Sequence, residues 1–403
     1  MKGALKGIKV ADFTWAIAGP MITKNLADFG ATVVKVESST RPCIMRSSTP
    51  YKEGVRYVNR SAYFAFHNAN KYSVTLNLNH PKGVEIAKKL VSWADIVIEN
   101  FVPGKMEKWG LDYENLRKIK PDIIMLRSSN LGQTGPNAKL PGTGNNLVGL
   151  SGFVHLTGWP DRDSVQPHGA YPDFISPRFA TATLVAALDY RRRTGKGQYL
   201  DLSQCEAALQ FLTPALLDYT VNRREMKQAG NSCPYAVPHG VYRCRGEDKW
   251  CAIGVFSDME WKAFTKVVGA PQWAEDPHFA TLLGRKDNEK ELNILVEEWT
   301  VNFTPEEVMV QLQDAGVAAG VVKSADDLYN DPQLRERDHF WPLQHREIGP
   351  ISHLGQSIKL SETPARASLT SPCLGEHTEY VMSQMLDMPS EEFEDLLNEG
   401  AFE

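Results

Sequence analysis

Short apolar runs alternate with helix-period stretches through the first third of the chain. Residues 8–13 alternate and then run apolar, and the run breaks at Ala18-Gly19-Pro20. A helical pattern follows to Phe29, and Gly30-Ala31 turns into a second apolar run at 32–37. Further strands are predicted over 73–78, 95–99 and 122–128. Between the first two of these, Asn79-His80-Pro81 opens a helix that buries Val84, Ile86, Ala87, Leu90 and Val91, with the proline suited to its first turn. Strand–helix alternation of this kind predicts a parallel α/β domain with a ligand crevice at the strand ends. The glycine spacing of a dinucleotide fingerprint is missing after the first strand, although Glu37 closes the second. A nucleotide-like ligand is therefore expected, and an ordinary NAD site is not.

The pattern then changes. Residues 139–152, with Leu140-Pro141-Gly142-Thr143-Gly144-Asn145-Asn146, read as a loop, and 158–172 as a second polar, proline-bearing stretch. A long helix is predicted over 177–193, then a turn at Thr194-Gly195-Lys196-Gly197-Gln198, a short strand at 199–202 and a helix at 204–219. A polar link at about 222–238 leads to a hairpin over 240–255 that turns at Gly246-Glu247-Asp248. Helices at 260–268, 288–300 and 305–315 complete what reads as a separate α+β domain. The tail carries a strand-like piece at 357–360 and a final helix after Gly375. The boundaries expected are 1–221 for the first part of a large domain, 222–330 for the small domain and 331–403 for the return to the large one.

Composition narrows the class. Across 403 residues, 42% hydrophobic and 23% charged side chains are those of an ordinary globular protein. A net charge of −5 does not suggest a nucleic-acid binder, but leaves room for a local basic patch. The six cysteines show no Cys-x-x-Cys pair or zinc spacing, and no two of the ten histidines sit at metal spacing, so neither a metal nor a disulfide framework is expected. No signal peptide opens the chain and no apolar run could span a bilayer, so a cytoplasmic protein without membrane contact is expected. Gly-x-Ser-x-Gly, phosphate-loop and His-Glu-x-x-His motifs are all absent. One acid stands out by position: Asp173 follows a Gly/Pro-rich loop and lies just before the long helix. Local context alone reads it as a helix N-terminal acid.

Six motifs, in order, carry a resemblance over essentially the whole length. They are Leu5-Lys6-Gly7-Ile8-Lys9-Val10-Ala11-Asp12-Phe13-Thr14 with Ala18-Gly19-Pro20; Gly30-Ala31-Thr32-Val33-Val34-Lys35-Val36-Glu37; Asn70-Lys71; Ile98-Glu99-Asn100-Phe101-Val102-Pro103-Gly104; Thr194-Gly195-Lys196-Gly197-Gln198; and Leu374-Gly375-Glu376-His377-Thr378. In these the chain resembles the class III CoA-transferases, the formyl-CoA transferase and carnitine CoA-transferase group. The resemblance implies a Rossmann-like large domain built from the N- and C-terminal parts, a smaller α+β domain, and two subunits interlocked like linked rings. It implies an enzyme that moves coenzyme A from an acyl-CoA to a carboxylic acid, with CoA thioesters as substrates and a homodimer, or a heterodimer with a homologous subunit, as the working form.

By the same resemblance Asp173 is the catalytic aspartate, acylated and then converted to an aspartyl-CoA thioester. A carboxylate with an ordinary pKa needs no partner base, which suits the absence of a Ser–His or Cys–His pair. The implied CoA-binding positions are Ile17, Ala18, Leu76, Asn77, Leu78, Asn79, Asn100, Phe101, Val102, Lys108, Gly142, Thr143, Gly144 and Asn145. The acyl pocket falls on Ile17, Asn145, Tyr235, Ala236 and Val237. Departures shape the substrate expectation. Ser38 stands where the formyl-CoA enzyme has a basic residue, Ile17 and Asn145 replace a glutamine and a glutamate, and Pro234-Tyr235-Ala236-Val237 replaces a glycine-run loop. A larger, less polar acid than formate or oxalate follows, a benzylsuccinate-type aromatic acid with succinyl-CoA as donor being the expected example. The α-methylacyl-CoA racemases share the fold, but Gly142-Thr143-Gly144 lacks their histidine base. A subunit of a heteromeric transferase is the other alternative, and Asp173 favours the catalytic role.

Overall fold

The computed structural model describes residues 3–403. They divide into two compact units: one holds the chain up to Phe153, Gln166–Arg224 and Pro332–Glu403, and the other Val154–Val165 and Glu225–Asp331. Residues 154–165, expected in the first part, group instead with the second unit.

The first unit is built on a six-stranded sheet. Its elements in chain order are β1 (Lys9–Asp12), α1 (Ala18–Asp28), β2 (Thr32–Glu37), α2 (Ala62–Asn68), β3 (Lys71–Thr75), α3 (Pro81–Trp93), β4 (Ile96–Glu99), α4 (Lys105–Lys108), β5 (Ile124–Ser129), α5 (Gly144–Leu150), α6 (Tyr171–Thr194) and β6 (Tyr199–Ser203). The spatial order is β3-β2-β1-β4-β5-β6, with every neighbouring pair parallel. Strand order therefore reverses between β1 and β4, which is where open α/β sheets hold ligands. Both sheet faces are covered, as a parallel sheet requires. Val10, Val33, Ile96, Ile98, Ile124 and Leu126 pack under α1 and α6 through Ile22, Leu26, Ala180 and Leu184. Ala11, Val34, Val74, Val97 and Met125 pack under Ile86, Ala87, Leu90 and Val91 of α3, which are the apolar positions its sequence period assigns. Each such Leu or Ile contributes roughly 1.5–3 kcal/mol by leaving water.

Three stretches differ from the pattern. Residues 144–150, expected as loop, form α5, whose entry is fixed by Asn146 Oδ1 accepting from Thr143 N at 3.0 Å. The long helix begins at Tyr171, six residues earlier than expected, with Pro172 in its first turn and Pro177 inside it. The helix expected over 204–219 breaks into Gln204–Leu209, a 3₁₀ turn at Gln210–Leu212, and Thr213–Asn222, because Pro214 cannot donate to a continuous ladder.

The second unit is an antiparallel sheet β7 (His239–Arg243), β8 (Trp250–Gly254) and β9 (Ala318–Val321), packed by helices Asp258–Val267, Glu289–Thr300 and Pro305–Asp314. Its core joins Tyr242, Ile253, Trp261, Phe264, Leu292, Val296, Val308 and Leu312. The chain then returns to the first unit with a ribbon, β10 (Phe340–His345) against β11 (Gly349–Leu354), and ends beyond α7 (Ser390–Asn398). Residues 357–360, expected as strand-like, join no ladder. Leu396 of α7 and Phe402 after it complete the α3 face of the sheet.

Candidate active site

The point where strand order reverses is held by buried polar contacts. Asp12, at the end of β1, accepts from Thr14 N, Thr14 Oγ1 and Thr23 Oγ1, and lies 3.2 Å from Lys71 Nζ of β3. Lys71 also donates to Pro20 O and Asn68 Oδ1, while Lys35 Nζ of β2 donates to Thr14 O at 2.7 Å. Burial pushes the Asp12 carboxyl upward, but Lys71, Lys35 and the two threonine hydroxyls outweigh it and hold the acid below its ordinary value. Burial moves Lys71 down to about 8, against the pull of Asp12. Charges this deep persist because each has a partner. Their effect is to fix the backbone from Asp12 to Pro20, including Ile17 and Ala18 at the entry to α1.

Asn100 ties that turn to the neighbouring strand end. Its Oδ1 accepts from Trp15 N at 2.6 Å and its Nδ2 donates to Trp15 O at 2.8 Å. A Cβ on Gly19 would stand 3.0 Å from Asn100 Cγ and 2.4 Å from Thr14 Cβ, so only glycine permits this approach. The turns after β1 and β4 thus form one rigid edge.

Asp173 lies in the first turn of α6, not before the helix, and is 8% exposed. A Cβ placed on Gly144 would fall 2.3 Å from Asp173 Oδ2, so the carboxylate rests directly on the first residue of α5. The charge of Asp173 also reaches the Tyr63 hydroxyl, which burial first and Asp173 second push upward. Phe174 packs with Ile17, Met21, Cys43, Met45, Phe64, Trp15 and Tyr63 in one apolar cluster, bringing the β1–α1 turn to the catalytic candidate. Gln166 braces the approach, donating to Asn145 Oδ1 at 3.1 Å and to Gly169 O at 3.3 Å. With burial as the sole cause, the Asp173 carboxyl is pushed up to about 7. This corrects the expectation of an ordinary carboxylate: near neutrality the group is about half protonated.

The remaining expected positions divide by what they can offer. Ala18 and Leu76 are buried in the fold, so only their backbone can face a ligand. Leu78 packs on the α3 face of the sheet. Asn77 Oδ1 accepts from Asn79 N, and Asn77 N donates to Ala401 O. Phe101 meets Trp109 edge-on at 5.6 Å, and Val102 and Lys108 are exposed. Gly142 and Thr143 lead exposed into α5, where Gly144 is buried and Asn145 exposed. In the second unit Ala236 and Val237 are buried, Val237 within that unit's core, whereas Tyr235 is 64% exposed.

Two groups escaped the sequence reading. Arg41 lies over the Trp15 ring at 5.2 Å and Lys105 over Trp109 at 4.3 Å. Burial, then the charges of Lys108 and Arg41, push Lys105 below the ordinary lysine value, so the three cations share one patch. Glu37, the acid that closes β2, is consumed in a buried pair with Arg46 at 2.7 Å. Nothing in local sequence marks Arg41 and Lys105 as neighbours; parallel strand ends bring them together.

The profile of CoA-transferase family III matches residues 5–378. The chain is 31% identical over 388 residues to the succinyl-CoA–D-citramalate CoA-transferase of Chloroflexus aurantiacus, covering 96% of this chain and 95% of that one. It is 30% identical over 400 residues to the succinyl-CoA:glutarate CoA-transferase of Mus musculus, covering 99% and 90%. Among solved structures, a CaiB/BaiF family protein from Brucella suis superposes with a TM-score of 0.87 at 30% identity, over 96% of this chain and all of that one. A doubly wound sheet, a buried aspartate where the resemblance puts the nucleophile, and a family match spanning both units agree: this chain is an enzyme of CoA-transferase family III.

Proposed function

We propose that the enzyme transfers coenzyme A from succinyl-CoA to a second dicarboxylic acid by covalent catalysis at Asp173. The observation that carries this reading is the Asp173 carboxyl: buried, without a cation beside it among the described residues, and set against Gly144 in the first turn of α6. The ionised carboxylate attacks the thioester carbonyl carbon; the C–S bond breaks, leaving an aspartyl–succinyl anhydride and the CoA thiolate. The thiolate attacks the aspartyl carbonyl of the anhydride, releasing succinate and forming an aspartyl-CoA thioester. The incoming carboxylate then attacks that thioester, and the freed thiolate takes the new acyl group, returning Asp173 as carboxylate. Each step exchanges one anion for another, so no proton is consumed. The Gly144 amide, which has no acceptor within α5, is the donor this reading assigns to the developing oxyanion. Burial keeps water from both labile intermediates.

Arg41, Lys105 and Lys108 fit the polyanionic end of CoA, with Trp15, Phe101 and Trp109 beside them as stacking surfaces. The acceptor class rests on relatives whose names pair succinyl-CoA with citramalate, glutarate and L-malate. Benzylsuccinate is a substituted member of the same class, and Ile17 replaces a polar group where its ring would lie. The working form is a dimer of this chain or of this chain with a homologue. Helix Thr213–Asn222 buries none of its residues although Leu216, Leu217, Tyr219 and Val221 are all at least 47% exposed, an apolar face that a partner would cover. Purified enzyme with succinyl-CoA and a panel of citramalate, glutarate, malate, benzylsuccinate and oxalate, analysed by mass, tests the assignment. A new CoA thioester with a dicarboxylate larger than oxalate is expected; transfer to oxalate alone would contradict it.

A further inference from the structure

A cation stands inside the sheet. In β5 it follows Ile124, Met125 and Leu126, and this residue, Arg127, is 4% exposed. Its guanidinium serves two acids on two other elements. Nε donates to Glu99 Oε1 at the end of β4, while Nη1 and Nη2 donate to Glu107 Oε1 and Oε2 of α4 at 2.5 and 3.3 Å. The second oxygen of Glu99 accepts from Phe101 N at 2.6 Å, which fixes the turn between β4 and α4. One side chain therefore fastens a strand end, a turn and a helix.

Stability alone accounts poorly for this arrangement. Burial pushes the Glu99 carboxyl up to about 7 even with Arg127 beside it, and a buried ion pair often gains a fold no more than apolar side chains of the same volume would. What the contact achieves is orientation. α4 is a single turn, too short to hold itself, and among the described residues no side chain caps its start. Met106 anchors it in the core on the α3 face of the sheet, but an apolar contact sets depth rather than rotation. The fork of Arg127 on both oxygens of Glu107 supplies the rotation. Glu107 stands between Lys105 and Lys108, and Trp109 carries Lys105 over its ring at 4.3 Å.

We propose that Arg127 is a positioning residue for the thioester substrate: by gripping Glu107 and Glu99 together it locks α4 against the β4 turn and presents Lys105 and Lys108 as one fixed surface. The proposal rests on the CoA-transferase reading. Arg127 is buried and touches no substrate; it acts through α4, and Glu107 is the half-exposed link that transmits it.

The test uses Glu107→Ala and Glu107→Gln, which leave the buried Glu99–Arg127 pair in place, with Arg127→Lys as a third variant. Initial rates with succinyl-CoA are read beside melting temperature. Deleting a carboxylate between two lysines would, by charge alone, favour a polyanion and lower KM. Positioning predicts the opposite sign: KM for succinyl-CoA about 5- to 10-fold higher in Glu107→Ala, with kcat within about twofold. The rise should be smaller in Glu107→Gln, whose amide oxygen still accepts from Arg127. Arg127→Lys keeps the charge without the fork and should raise KM as the alanine variant does. A KM that falls or stays unchanged in a folded Glu107→Ala would overturn the proposal, and so would a loss confined to kcat. If the wild type binds neither CoA nor succinyl-CoA, the CoA reading itself falls, and this role with it.

Discussion

Replacing Asp173 by asparagine separates two effects that the structure assigns to one carboxyl. Burial raises this acid from 3.8 to about 7. The native state therefore holds a proton between those values that the unfolded chain has lost, so stability from this group falls as pH rises through that window and stays low above it. At about 1.4 kcal/mol per pH unit, the ionised group costs the fold up to roughly 4 kcal/mol at pH 8 and about 1.5 kcal/mol at pH 5. Asparagine keeps the shape and carries no charge. The variant should match wild type near pH 4 and exceed it increasingly toward pH 8. At roughly 2 cal/mol/K per residue of unfolding entropy, the full effect over 403 residues amounts to about 5 °C in melting temperature. Melting curves of both proteins at pH 5, 6.5 and 8 measure it. A constant difference across that range, or a wild type that gains on the variant as pH rises, would refute the argument that burial dominates this carboxyl. Catalysis should be lost in the same variant, so added stability with lost turnover is the signature of a strained functional acid.

Other consequences follow from neighbouring contacts. Gly144→Ala sets a methyl 2.3 Å from Asp173 Oδ2, so kcat should fall by about 100-fold or more in a protein that remains folded, measured by succinyl-CoA turnover beside far-UV dichroism. Asn100→Ala removes both bonds to the Trp15 backbone; KM for the CoA thioester should rise by about tenfold and stability drop by roughly 1–3 kcal/mol, read from initial rates and urea unfolding. Arg41→Ala with Lys105→Ala should raise KM for the thioester by more than tenfold and flatten its salt dependence without moving kcat, which rate measurements at 50 and 300 mM salt would show. Because only ionised Asp173 attacks, kcat/KM should climb with pH through about 7; a flat profile from pH 5.5 to 8 would disprove that.

The inner strands β2 and β4 were legible because they are buried on both faces and read as apolar runs, whereas the edge strand β6 alternates between exposed and half-buried positions. Residues 32–37 coincide with β2, and the α3 face follows from its period alone. Elements that owe their form to neighbours were not legible. α5 has two glycines in seven residues and only Leu147 and Val148 fully buried among its apolar side chains, so nothing local marks it as a helix before α6 packs against it. Pro342 and Pro350 argue against strands, yet a two-stranded ribbon has free edges that tolerate them. Of the site, Asp173 and the turns after β1 and β4 were identified by resemblance. The pKa of Asp173 was not, because desolvation depends on what surrounds a carboxyl rather than on its sequence neighbours. Arg41 and Lys105 meet only because parallel strands deliver separate loops to one edge.

The most direct measurement of the central claim is peptide mapping after the enzyme is incubated with succinyl-CoA alone and quenched with hydroxylamine. The account predicts a hydroxamate on Asp173 in wild type and none in Asp173→Asn. Turnover by the asparagine variant, or a wild-type peptide left unmodified while exchange with succinate proceeds, would contradict it.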